Sequence, residues 1–192
     1  MKRNEVGLVF IIIASLLITL SSCSEKVVFT ESDLEFKISV PVEWQYQEDI
    51  SDSIRYYALS PLRKDDVGSG QTDSIKEDLI ITREYYAGAS LEDYYYWTIQ
   101  VLKALTTNYD SLSTEDMVIN GNDCKQHIHL QTVLIPRIDD PEDFFEVDLK
   151  MIRYVFLRGD YGYTISCASP PDTYDHYKPI FDFIVSTFEF KE

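Results

Sequence analysis

His127 and His129 stand two residues apart in a segment that alternates like a strand, so both rings project from one face. Two imidazoles at that spacing can supply two of the ligands a zinc ion takes. The sequence offers no third, and the favoured reading is a solvated sheet face with Ile128 and Leu130 buried opposite. A second cluster, Asp139, Asp140, Glu142, Asp143 and Glu146, provides the oxygen ligands that calcium prefers. Its spacing does not match the twelve-residue calcium loop, and Pro141 restricts the backbone, so it reads as solvated charge. Tyr94-Tyr95-Tyr96-Trp97 is aromatic enough to line a carbohydrate or apolar-ligand site. Four consecutive helical residues point in four directions, so part of the run belongs to the core. The remainder, Tyr94, Tyr96 and Trp97 with Tyr85 and Tyr86, forms the candidate binding surface.

Signatures of common enzymes are missing. The chain has no Gly-x-Ser-x-Gly elbow, no phosphate-binding glycine loop with lysine and no Cys-x-x-Cys. No residue is assigned a catalytic role and no cofactor is implied. Arg158-Gly159-Asp160 matches a cell-adhesion tripeptide, but hairpin turn chemistry explains it.

The N-terminus carries the sharpest motif. Lys2 and Arg3 precede an apolar run from Val6 to Leu20, and Leu20-Ser21-Ser22-Cys23 resembles a bacterial lipobox. The run is short for a membrane span, which needs about 20 residues. Residues 1–22 therefore read as a lipoprotein signal peptide, with Cys23 as the site of fatty acylation, palmitate included. Ser24, in place of aspartate, favours the outer membrane, facing the periplasm or the cell surface. About three residues separate Cys23 from the first strand. At roughly 3.5 Å each they reach little more than about 10 Å, which confines the domain to the membrane surface.

Residues 23–192 fit one domain. The whole chain has 17 basic and 33 acidic residues and a net charge of −16. Loss of Lys2, Arg3 and Glu5 makes the remainder one unit more negative. Such a charge repels phosphate backbones and anionic lipid alike, so nucleic acid is excluded as a partner.

Alternation places strands at Lys26–Thr30, Leu34–Val40, Tyr56–Ser60 and Leu79–Tyr85, with Pro41 ending the second. Residues 63–76 read as an exposed loop. Ser90, with Asp93 three residues on, begins a helix running to about Asn108, its stripe formed by Leu91, Tyr95, Thr98, Leu102 and Leu105. Asn120-Gly121 marks a hairpin between strands at Asp116–Ile119 and Asp123–Val133. Ile135–Glu146 reads as a loop. Leu149–Arg158 is apolar on both sides, which places it centrally between covering helices. Tyr161–Cys167 returns beside it, and Asp172 is the expected cap of a closing helix with Pro179 at its start or kink. In this meander Cys124 and Cys167 fall on opposite sheet edges, beyond disulfide reach. The fold class is α+β: an antiparallel sheet covered by helices on both faces.

Three stretches together resemble the PsbP-like family: Val28-Phe29-Thr30 with Leu34 to Trp44, Gly162-Tyr163-Thr164-Ile165, and Tyr177 to Phe188. The resemblance implies a PsbP-like sandwich and an accessory protein that assembles with a larger machine. The expected function is a lipid-anchored envelope protein without catalytic activity, attached to the membrane by its lipid and engaging an envelope protein. The alternatives are a metal- or small-ligand-binding module and a glycan or lipid hydrolase. The hydrolase would need an acidic cleft holding a carboxyl of raised pKa.

Overall fold

The computed structural model describes residues 27–30, 34–61, 75–88, 90–136 and 144–191. Cys23, Asp139, Asp140, Glu142 and Asp143 lie outside the described residues, as does most of the loop expected at 63–76.

Two antiparallel sheets organise the chain. The small one has the order β1-β2-β10, formed by Val27–Thr30, Phe36–Pro41 and Glu189–Phe190. The large one has seven strands in the order β3-β4-β5-β9-β8-β7-β6. These are Gln45–Glu48, Ile54–Leu59, Asp78–Tyr85, Tyr161–Ser169, Phe144–Arg158, Asn122–Pro136 and Thr107–Ile119. Helix α1 is Leu91–Leu105 and helix α2 is Tyr174–Ser186.

The β7-β8-β9 meander follows the expected order, with β8 in the interior of the sheet. Register separates its two faces. Tyr154 faces Gln126 and Ile165 across the ladder, and Phe156 faces Cys124 and Tyr163. One residue along, Arg153 faces His127 and Ser166. Period-two alternation sends these two sets to opposite sides. The Tyr154 face holds the main core. Phe156 meets Phe188 at 5.2 Å between ring centroids, Trp44 meets Phe181 edge-on at 6.3 Å, and Tyr154 Oη donates to Asp182 Oδ1 of α2 at 3.2 Å. On the Arg153 face, Tyr94 of α1 rests on Gly162, where an added Cβ would meet the Tyr94 ring at 2.0 Å. Gly162 is therefore the one β9 position where the tyrosine can lie against bare backbone.

Several boundaries differ from the expectations. Strand β3 carries no apolar alternation and its residues are half-buried at most, so no sequence signal marks it. Strand β6 begins at Thr107, nine residues before the expected start, because this polar edge strand lacks a buried stripe. The segment expected as a loop from Ile135 is shorter, since β7 continues to Pro136 and β8 begins at Phe144. Helix α1 ends at Leu105, which is 80% exposed and not part of an apolar stripe; the buried positions are Tyr94, Thr98 and Ile99. Thr173, not Asp172, occupies the cap position of α2, without a side-chain capping bond, and Pro179 lies inside the helix.

Other local signals of the sequence have direct counterparts in the structure. Ser90 Oγ accepts from the Asp93 backbone N–H at 3.1 Å and caps α1. Asn120 and Gly121 both have positive φ, as the tight hairpin requires. Asn120 Nδ2 also donates to the carbonyls of Ser186 and Phe188, tying this turn to the end of α2. Cys124 and Cys167 are free and buried. They sit on interior strands, not at opposite sheet edges, because β6 and β5 extend the sheet beyond them. Their ladder partners on β8, Phe156 and Ile152, are four residues apart, roughly 14 Å along the strand.

Candidate functional site

The aromatic residues at one end of the large sheet divide between its two sides. Tyr94 is fully buried, whereas Tyr96 is 62% and Trp97 43% exposed. Tyr86, Tyr94 and Trp97 form a cluster with ring centroids 5.0 to 6.1 Å apart. Tyr85, 69% exposed, meets Tyr161 at 5.8 Å, and the Arg83 guanidinium lies 5.1 Å over the Tyr161 ring. Tyr85 and Tyr86 are neighbours near the end of β5, so alternation sends them to opposite faces. The surface expected from sequence is therefore two aromatic groups wrapped around one sheet end, with Tyr161 added to those foreseen.

The histidine pair lies in a different environment from the solvated face expected. His127 and His129 are 1% and 0% exposed, while Ile128 and Leu130 are half-buried. Their rings stack at 5.1 Å. Tyr95 of α1 and Tyr109 of β6 close over them. Tyr109 Oη lies 2.6 Å from His127 Nε2, Tyr95 Oη 3.1 Å from His127 Nδ1, and Thr114 Oγ1 3.0 Å from the same Nδ1. Burial, then the Arg153 and Lys103 charges, pull the pKa of His127 down to about 4. Burial and the neighbouring His127 pull His129 down to about 3. Both imidazoles are neutral at pH 7.

Arg153, at the centre of this face, was not singled out from sequence. A basic residue in the middle of the most apolar strand was the available signal. Its Nε donates to Ser166 Oγ at 3.1 Å. Among the described residues no group of three or more His, Cys, Asp or Glu is placed to hold a metal ion.

An open cleft of about 500 Å³ lies at the N-terminus of α1, between Ser90, Glu92, Asp116, Asp123, Cys124 and Lys125. Lys125 Nζ bridges Glu92 and Asp116 at 2.6 and 2.7 Å. The carboxyls that burial pushes upward, Asp78 to about 7 and Glu84, belong to β5 and do not line it. Burial, with Asp123 and Asp116 nearby, raises the Cys124 thiol to about 11, which leaves it protonated and unreactive.

No family model and no curated protein matches the chain. Solved structures do. Cyanobacterial PsbP (CyanoP) from Synechocystis sp. PCC 6803 is 14% identical, with a TM-score of 0.56 over 90% of this chain and 99% of that one. LpqN, described as involved in cell envelope biogenesis of Mycobacterium tuberculosis, is 8% identical, with a TM-score of 0.56 over 87% and 92%. The Ran-binding protein Mog1p of Saccharomyces cerevisiae is 13% identical, with a TM-score of 0.53 over 86% and 96%. No helix among the described residues is long and apolar enough to cross a membrane. A mostly antiparallel α+β sandwich with these likenesses has the PsbP-like fold.

Proposed function

We propose that residues 23–192 form a lipid-anchored, non-catalytic accessory protein of the cell envelope. It is held in the outer membrane by acyl chains on Cys23 after removal of residues 1–22. A sheet with a helix over each face presents Tyr85, Tyr86, Tyr96 and Trp97 to a protein partner at the membrane surface. The carrying observation is the exposure of Tyr85, Tyr96 and Trp97, with half-buried Tyr86 packed against Trp97, around one end of the sheet. Aromatic side chains contribute contact area at low entropic cost, and interfaces are enriched in them. The printed descriptions of the fold neighbours, one in cell envelope biogenesis and one Ran-binding, support a binding role over a catalytic one.

The test has two arms. Mass spectrometry of the protein purified from membranes should find an acylated N-terminus at Cys23; a chain that begins elsewhere removes the anchor. A photo-crosslinking amino acid at Tyr96, placed in the full chain in intact cells, should trap one envelope protein in a discrete adduct. The adduct should fall at least tenfold when Trp97 is changed to Ala. No discrete adduct, or one indifferent to Trp97, sinks the aromatic end as the partner surface.

A further inference from the structure

Arg153 lacks a carboxylate partner in a chain that has nearly two acids for each base. Arg55 and Arg83 pair with Glu35, Lys125 with Glu92 and Asp116, and Lys178 with Asp182. Among the described residues no carboxylate lies within salt-bridge distance of Arg153. Its hydrogen bond to Ser166 uses Nε alone, so the two Nη groups donate to no described residue. The side chain is half-buried, and solvent still reaches it.

The surroundings are polar and uncharged at close range. His127 and Ser166 flank Arg153 on the adjacent strands. His129 Nε2 donates to Gln131 Oε1 at 3.3 Å, which leaves its buried Nδ1 as an acceptor with no partner among the described residues. The Lys103 ammonium lies 5.5 Å over the Tyr109 ring. Glu84, felt by Arg153, lies beyond salt-bridge distance. A half-buried cation without a paired anion is costly, and an apolar residue at the same place would be cheaper. What the cluster lacks is a negatively charged acceptor. A planar guanidinium with one edge free matches an oxyanion in bidentate geometry.

We propose that the Arg153 guanidinium, seated between His127 and Ser166 beside α1, binds the oxyanion of a small ligand, carboxylate or phosphate, through its free Nη groups. Ser166 fixes the guanidinium plane. The strong negative charge of the rest of the chain slows anion arrival at low salt.

The test uses the purified full chain in detergent, with arginine side chains labelled with ¹⁵N. Inorganic phosphate and succinate are titrated separately at constant ionic strength against sodium chloride. The Arg153 guanidinium signals, assigned by Arg153→Lys, should shift saturably and their exchange with water should slow. Arg153→Gln should weaken binding at least tenfold. Arg153→Lys, which keeps the charge and loses the fork, should weaken it at least threefold. A response to phosphate alone assigns a phosphoryl ligand, and one to succinate alone a carboxylate. The proposal is overturned if neither anion shifts the Arg153 signals beyond chloride, which would leave water as the acceptor. It is also overturned if Arg153→Gln binds as well as the parent chain. Should Arg153→Gln fail to fold, the titration of the unsubstituted chain decides alone.

Discussion

The two faces of the large sheet solve opposite problems with the same strands. On the Tyr154 face, Phe156, Ile165 and Cys167 meet Phe181, Ile184, Phe188 and Trp44 in one apolar cluster. On the Arg153 face, one residue out of phase, His127, His129, Gln131 and Thr164 are buried as polar groups. A small apolar patch of Val147, Leu149 and Ala168 lies at the far end of that face. Burial of apolar surface stabilises roughly in proportion to area, at about 25 cal/mol per Å². Buried polar groups gain little net free energy even when paired. The first face therefore holds the fold together, and the second is where this chain spends stability on chemistry.

The largest expected effect separates the faces by truncation. Phe181→Ala removes a fully buried ring from the edge of Trp44 and should cost about 3–5 kcal/mol. Tyr95→Phe, on the other face, removes a hydroxyl hydrogen-bonded to Thr114 and His127 and should cost about 1 kcal/mol. Denaturant unfolding of both variants measures the contrast. Equal losses would mean that the polar face carries as much of the stability as the apolar one.

Between pH 7 and pH 5 acid should destabilise the protein chiefly through the Arg153 face. His127 and His129 have folded pKa values near 4 and 3, below the usual 6.5. The unfolded chain therefore binds more protons as pH falls below 6.5, and stability declines until the folded values are reached. From pH 7 to pH 5 the pair should cost about 2–4 kcal/mol. The His127→Gln/His129→Gln double variant should lose that slope. Asp78 runs the opposite way: its folded pKa of about 7 gives stability that is complete below 3.8 and lost as pH rises through 7. It is common to both proteins and cancels in their difference. Parallel stability curves for parent and variant between pH 7 and 5 would show the histidines to be hydrated in solution.

How much of this contrast was legible in the sequence depends on which residues carry it. The Tyr154 face was readable, because Ile152, Tyr154 and Phe156 alternate as apolar residues and Tyr177, Phe181 and Ile184 recur at helical spacing. The polar face was misread at His127 and His129. Polar residues at alternate positions look identical whether they meet water or another buried polar group. What decides between them is Tyr95 from α1 and Tyr109 from β6, which close over the rings from sequence positions 32 and 18 residues away. The edge strands β3 and β6 escaped for a related reason. Their pairing is by backbone, which composition does not record.

Gly162 tests whether the contact between α1 and the sheet is as close as the aromatic cluster requires. Gly162→Ala would put a methyl group into the Tyr94 ring, a fully buried side chain. Overpacking of this kind costs about 1–3 kcal/mol. Tyr94 must then move, and Trp97, stacked on it at 6.0 Å, moves with it. Near-ultraviolet circular dichroism and tryptophan fluorescence should both change while the far-ultraviolet spectrum does not. An unchanged Trp97 emission would detach the exposed aromatic group from the core beneath it.

The smallest effect concerns the start of α1. Ser90 Oγ accepts from the Asp93 amide and donates to the Asp93 carboxylate at 2.7 Å, a reciprocal cap at an exposed position. Ser90→Ala leaves that amide to water and should cost about 1 kcal/mol in unfolding. The helix carries Tyr94, Tyr95 and Trp97 within its first two turns, so fraying there reaches the aromatic cluster before it reaches the Tyr154 face. Hydrogen exchange should accelerate for the amides of residues 92 to 95 in the variant. Protection at Phe156 and Ile165 should fall only by the global loss of stability. Acceleration shared equally by all of these amides would mean that the helix and the apolar face open as one unit, and the division of labour between the two faces would not extend to their dynamics.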